Sequence, residues 1–223
     1  MYRTSFSINR KGIVTMDKKG SFIVFEGIDG CGKTTQLDRL AARITRTGHR
    51  VTTTREPSDG PIGTLLRQFL TGRLQGEEDT IAALFAADRL DHLHNPVNGV
   101  SQLLDSGVSV LCDRYLFSSY AYQGTALDPD WIVQLNSQAT RILRPACHIF
   151  LDVTADVSME RMAKGRVSLE LFETRERLNA VRDRYLTLFD EWKDRENILI
   201  IDGNQTPETI SEQIWSHVSE YFL

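Results

Sequence analysis

The segment Gly27-Ile28-Asp29-Gly30-Cys31-Gly32-Lys33-Thr34 has the spacing G-x-x-x-x-G-K-[ST], in which each residue type has a task if the ligand is a polyphosphate. Glycines let backbone N–H groups turn inward and approach phosphate oxygens, and a helix starting at the end of the loop adds the positive end of its dipole. Lys33 can reach the β and γ phosphates, Thr34 can ligate Mg²⁺, and Thr35 continues the first helical turn. At average residue usage the pattern arises by chance in about one chain of this length in a hundred. Such loops serve GTP switches, motor ATPases and small-molecule kinases alike, so the rest of the chain must choose among them. A GTP switch needs an NKxD guanine reader and a DxxG downstream of the loop, and the sequence has neither.

Two further segments carry polar chemistry that could serve a second anion. Arg55-Glu56-Pro57 is followed by Arg67, and Asp113-Arg114-Tyr115 is followed by Ser118-Ser119-Tyr120-Ala121-Tyr122-Gln123. The planar guanidinium donates two hydrogen bonds at once and stays charged, which suits Arg55, Arg67 and Arg114 to clamping a phosphate. Surface ion pairing is the plainer reading of any one of them. Phe85 and Arg89 stand at i and i+4, hence on one helix face, where a ring can stack on a planar base while the guanidinium donates to a ring carbonyl. Asp88, Asp91, His92 and His94 beside them read as the wet face of a charged helix rather than as metal ligands.

These residues need a frame that brings them together. Strand-forming runs are expected at Phe22 to Glu26, Arg50 to Thr54, Val108 to Cys112, Cys147 to Val153 and Asn197 to Ile201. Helical periods lie between them at Lys33 to Thr47, Ile62 to Thr71, Asp79 to Asn95, Pro96 to Asp105, Asp130 to Leu143, Ala155 to Lys164, Leu169 to Lys193 and Pro207 to Tyr221. Alternation of this kind gives an α/β fold with a doubly wound, five-stranded parallel sheet, in which ligands bind beyond the carboxyl ends of the strands. The glycine loop, Arg55-Glu56 and Asp113-Arg114 each follow such a strand.

The chain has 223 residues, 41% of them hydrophobic and 25% charged, enough to bury a full core in one domain. Its net charge of -4 makes duplex nucleic acid an unlikely main partner, so any anion must be gripped locally. Three scattered cysteines, Cys31, Cys112 and Cys147, suit a reducing, cytoplasmic setting better than a disulfide framework. The longest apolar runs are about five residues, far below the roughly 18 of a membrane helix. Residues 1–20 contain five basic residues and no continuous apolar segment, and read as a disordered extension ahead of a single domain spanning 21–223.

Taken together, Glu26 through Thr35, Arg55-Glu56-Pro57, Leu84 through Arg89, Asp113-Arg114-Tyr115, Ser119 to Gly124 and Ile201-Asp202-Gly203 resemble the thymidylate kinases, over some nine tenths of the chain. The resemblance implies a P-loop NTPase fold and ATP- and Mg²⁺-dependent conversion of dTMP to dTDP in deoxynucleotide supply. A kinase of dUMP, UMP or CMP is the alternative. By the same resemblance, Phe85 would stack on thymine, Arg89 would bond a base carbonyl, and Gln123 and Ser119 would read the base edge. Arg67 and Arg114 would hold the dTMP phosphate, with Arg55 and Glu56 orienting the acceptor site. Tyr122 would lie beside the sugar where a ribose hydroxyl would clash. Asp29 would sit near the sugar 3′-hydroxyl and the Mg²⁺ shell, and Asp113 would act through metal-bound water. A homodimer is also implied.

Members of that family carry a catalytic arginine in the phosphate loop or in a mobile lid. Asp29, Gly30 and Cys31 leave no arginine in this loop, so the lid, expected as a short helical segment near 160–172, must supply it. Arg161, Lys164 and Arg166 are the candidates, with Gly165 as a hinge. The lid runs into Leu169-Glu170-Leu171-Phe172-Glu173 without the Arg-x-Asp/Glu-Arg continuation of bacterial relatives. Ser58-Asp59-Gly60 likewise replaces their glycine pair, a form associated with archaeal members.

Overall fold

Phe22–Glu26 is apolar at every position but its last and takes the middle of a five-stranded sheet, where both faces of a strand are covered. The computed structural model describes residues 6–8, 14–16, 19–165 and 174–222. Its strands are β1 (Phe6–Ile8), β2 (Val14–Met16), β3 (Phe22–Glu26), β4 (Val51–Arg55), β5 (Ser109–Asp113), β6 (Cys147–Asp152) and β7 (Ile198–Asp202). Its helices are α1 (Lys33–Arg46), α2 (Pro61–Leu70), α3 (Glu78–His94), α4 (Val100–Asp105), α5 (Leu116–Tyr122), α6 (Pro129–Leu135), α7 (Ser137–Ile142), α8 (Ala155–Gly165), α9 (Arg175–Trp192) and α10 (Pro207–Val218).

The main sheet runs β4-β5-β3-β6-β7, and each neighbouring pair in it is parallel. This is the doubly wound α/β fold expected of a P-loop protein. The register aligns Phe25 with Asp113 and Arg55 with Asp113, so three strands end together and deliver the glycine loop, Glu56 and Arg114 to one rim. Helices α1 and α10 pack against each other, α1 against β3, β4 and β5, and α10 against β7. Helices α5 and α9 join β6 through aromatic edges: Phe117 and Phe150 lie 5.0 and 4.9 Å from Phe189.

Three local expectations change. The helical period from Pro96 begins only at Val100, because Asn95, preceding proline, is extended at ψ 127°. The Asp130 to Leu143 period breaks at Asn136, whose buried side chain is committed elsewhere. Leu116–Tyr122 forms an unexpected helix; with six of its seven residues buried, it has no polar stripe to reveal a period. Where the sequence reads as a disordered extension, Phe6–Ile8 pairs antiparallel with Val14–Met16, apart from the main sheet. A two-stranded pairing by itself is marginal in water. The other residues from 1 to 18 lie outside the described residues, as does lid segment 166–173 with candidate Arg166. Among the described residues no helix is long and apolar enough to cross a membrane.

Candidate active site

The loop between β3 and α1 needs glycine for two different reasons. Gly27 and Gly30 have φ of +142° and +73°, and a β-carbon at Gly30 would stand 2.7 Å from the Ser158 carbonyl oxygen of α8. The loop therefore packs closely against α8. Lys33 bends back, donating to the carbonyls of Gly27 and Ile28 at 3.1 Å each. A phosphate oxygen offers the ammonium a stronger partner than either carbonyl. Cys31 is buried, which pushes its thiol pKa up despite the nearby Lys33. Its sulfur lies 3.9 Å from the Lys33 ammonium, and its carbonyl accepts from Arg161.

Beside the loop, Thr34 Oγ1 lies 3.5 Å from Asp113 Oδ2. Asp113 Oδ1 is buried, accepts no hydrogen bond, and has the Lys33 ammonium at 3.9 Å. A hydroxyl and a carboxylate with spare acceptor capacity are hard oxygen donors, which fits Mg²⁺ held by one or two protein oxygens plus phosphates. Among the described residues no group of three or more His, Cys, Asp or Glu could hold a metal by itself. Asp29 is not aimed at that pair. Its Oδ1 accepts from Arg114 at 2.8 Å and its Oδ2 from the Tyr122 hydroxyl at 3.0 Å, which assigns it to the acceptor side. Burial alone would raise its pKa, yet Arg114, Lys33 and the two hydrogen bonds hold the carboxyl well below the usual range.

Two cavities meet at this rim. A cleft of about 820 Å³ runs from Lys33 and Thr35 past Asp113 to Arg55, Arg67 and Arg161. A pocket of about 100 Å³ continues from it, lined by Phe85, Arg89, Ser119, Tyr122 and Gln123. Asp29, Glu56, Pro57, Leu70 and Arg114 line both, so the two spaces share a wall. Arg67 donates to the carbonyls of Pro57 and Ser58 and to Thr64, which fixes it on the cleft's rim. Arg55 is exposed and paired with Asp59.

The base pocket corrects two expectations. Arg89 is 1% exposed, and its donors are taken by Glu56, Ser119, Asn136 and the Tyr115 carbonyl. Ser119 Oγ accepts from both terminal nitrogens of Arg89, so it supports the arginine rather than reading a base. That shared acceptor is the one a base carbonyl can supplement without stripping the rest. The expected wet face of α3 holds at His94, which is exposed, but fails at Asp88 and His92. Asp88 is fully buried and accepts from the Ser58 amide and hydroxyl at 2.7 and 2.6 Å, while His92 bonds Thr54 and Glu56. Both fasten α3 to the loop after β4, a demand that spacing cannot show. Gln123 is buried and lines the pocket, and its Oε1 has no hydrogen-bond partner.

At the lid end, Arg161 crosses the phosphate loop, donating to the Cys31 carbonyl at 3.3 Å and the Gly203 carbonyl at 2.9 Å. Lys164 is exposed and paired with Glu160, outside the cleft. Sequence reasoning passed over Glu26, Asn136, Ser118 and Arg177. Arg177 lines the base pocket from the first turns of α9 and reaches Glu78 of α3 at 3.4 Å. Only Glu26 left a signal, as the sole charge in an apolar strand.

A parallel sheet delivering a glycine loop to one side of an arginine-walled cleft, with a base-sized pocket on the other, defines a kinase of small nucleotides. Similarity to known proteins narrows this. A family model described as thymidylate kinase matches residues 25–214. A putative thymidylate kinase of Treponema pallidum is 35% identical over 204 residues, covering 90% of this chain and 96% of its own. A thymidylate kinase of Thermomicrobium roseum is 34% identical over 201 residues, covering 89% and 94%. A probable thymidylate kinase of Thermococcus gammatolerans is 35% identical over 213 residues, covering 92% and 98%. The chain belongs to the thymidylate kinase family.

Proposed function

We propose that this chain transfers the γ-phosphoryl group of ATP to dTMP, giving ADP and dTDP. The observation that carries the reading is the shared wall: Asp29, Glu56, Pro57, Leu70 and Arg114 border both the phosphate cleft and the base pocket, so two nucleotides would meet phosphate to phosphate. Phe85 offers a ring to the base, Gln123 an unsatisfied acceptor to its N3–H, and Arg89 a donor to its carbonyl. Tyr122, held by Asp29 and Arg114 at the pocket, would crowd a ribose 2′-hydroxyl.

The chemistry needs no general base, because a phosphate monoester with second pKa near 6 is mostly dianionic at pH 7. The protein's work is to hold two repelling anions in line and to neutralise charge on the moving phosphoryl group. Lys33 serves the donor phosphates, and Arg67 and Arg114 serve the acceptor phosphate. Thr34 and Asp113 would hold Mg²⁺, which would supply positive charge to neutralise the donor phosphates. Arg161 is the described lid residue placed to bring a cation over the loop, consistent with the lid-arginine form of the family. A lid closed over the cleft would exclude water that otherwise hydrolyses ATP. A homodimer in the cytoplasm completes the reading, supported by family membership.

A coupled ADP-release assay across dTMP, dUMP, UMP and CMP tests it. The expected result is highest kcat/KM for dTMP. Turnover of UMP equal to or above that of dTMP would overturn the substrate assignment.

A further inference from the structure

Glu26 closes β3 one residue before the glycine loop, is fully buried, and lines neither cavity. Its carboxylate is nonetheless heavily used. Oε1 accepts from the Tyr115 amide at 3.1 Å, and Oε2 accepts from the Ser118 hydroxyl at 2.6 Å and the Tyr185 hydroxyl at 2.9 Å. A carboxylate inside a core is costly unless its lone pairs are met, and here they are met by α5 and α9.

Those contacts converge on Arg114. Among the described residues Arg114 is the one non-glycine with positive φ, at +74°, a conformation that persists only where the surroundings impose it. Both flanking peptides are clamped by the end of β3. The Arg114 amide donates to the Phe25 carbonyl at 2.8 Å, and the next amide, that of Tyr115, donates to Glu26. The side chain is tied to the same carboxylate, since Arg114 NH1 donates at 3.2 Å to Ser118 Oγ, whose proton is directed at Glu26. NH2 is left to Asp29 and Tyr122, on the shared wall.

We propose that Glu26 is a positioning residue for the acceptor phosphate. It fixes the left-handed backbone at Arg114 and, through Ser118, the direction of the guanidinium, so that Arg114 faces the junction of the two cavities. The inference rests on the reading that Arg114 grips the dTMP phosphate. It also gives the glycine loop and the acceptor cation a common anchor, because the loop follows Glu26 in the chain while Arg114 is tied to its carboxylate through Tyr115 and Ser118.

A double-mutant cycle tests action through Arg114. Glu26→Gln keeps the shape but forces a donor among three donors, and should weaken dTMP binding, measured calorimetrically, by about tenfold. The KM for ATP should stay within about twofold, because the loop keeps its own contacts. In an Arg114→Ala background, Glu26→Gln should add less than about twofold. Ser118→Ala cuts the guanidinium link while leaving the Tyr115 clamp, and should show a smaller loss that also vanishes without Arg114. This variant carries the cycle if Glu26→Gln fails to fold. Equal factors with and without Arg114, or matching losses for ATP and dTMP, overturn the proposal while leaving the dTMP kinase reading intact. A wild-type chain that binds ATP but turns over no dTMP overturns both.

Discussion

Replacing Glu56 by alanine should cost more stability than most single changes in this chain. Glu56 and Arg89 are 2% and 1% exposed at their side chains, and are joined at 2.8 Å from Nε and 2.7 Å from NH2. The second Glu56 oxygen is met by His92 at 3.2 Å. Removing one member of a buried pair leaves the other charge uncompensated, typically a loss of about 3 to 5 kcal/mol. For a domain of this size each kcal/mol lowers Tm by about 2 to 4 °C, so Glu56→Ala should melt roughly 6 to 20 °C earlier. Glu56→Gln, which keeps the shape and part of the hydrogen bonding, should lose about 1 to 3 kcal/mol. The double variant Glu56→Leu/Arg89→Met removes both charges and should recover much of the loss, yet bind dTMP poorly because the base has lost its donor. Thermal melting by circular dichroism without nucleotide, followed by dTMP calorimetry on whichever variants fold, measures both. A Glu56→Ala protein within about 2 °C of wild type would refute the reasoning, since a buried arginine cannot lose its counter-ion that cheaply.

Three further outcomes are expected. Gln123→Leu should lower kcat/KM for dTMP by about tenfold or more in steady-state assays, because the base N3–H would face an apolar group. Arg161→Ala should reduce kcat by about 10³ or more, while Lys164→Ala stays within about twofold; the reverse order would place the transferring charge elsewhere. Asp29, with a depressed folded pKa, contributes stability that is present above its unfolded pKa of about 3.9 and is lost as pH falls through and below that value. Between about pH 5 and 3 the wild type should therefore lose more Tm than Asp29→Asn, and parallel curves would contradict the assigned contacts.

The five main strands were legible because parallel strands buried on both faces write themselves as short apolar runs, of which Phe22–Phe25 is the plainest. Helices with one wet face, such as α1, α9 and α10, were legible by their period. Helix α5 was not, because burial all round erases periodicity. In the site, the glycine loop could be read whole, since its function lies in backbone and composition. Which arginine faces a ligand could not. Arg89 and Arg114 look alike as letters, but Arg89 lines the base pocket with most of its donors held by Glu56, Ser119 and Asn136, while Arg114 sits on the wall that the two cavities share. Asp88 and His92 were mistaken for a wet face because their partners, Ser58, Thr54 and Glu56, lie 30 to 38 residues away in sequence. Glu26 shows the same limit, its partners coming from α5 and α9.

Following the terminal phosphate itself is the most direct check that the two cavities face each other. With ATP carrying heavy oxygen on its γ-phosphoryl group, dTMP and Mg²⁺, ³¹P spectroscopy should show the isotope-shifted signal arriving at the β-position of dTDP, with little inorganic phosphate. Label released chiefly as inorganic phosphate, at a rate indifferent to dTMP, would contradict the account.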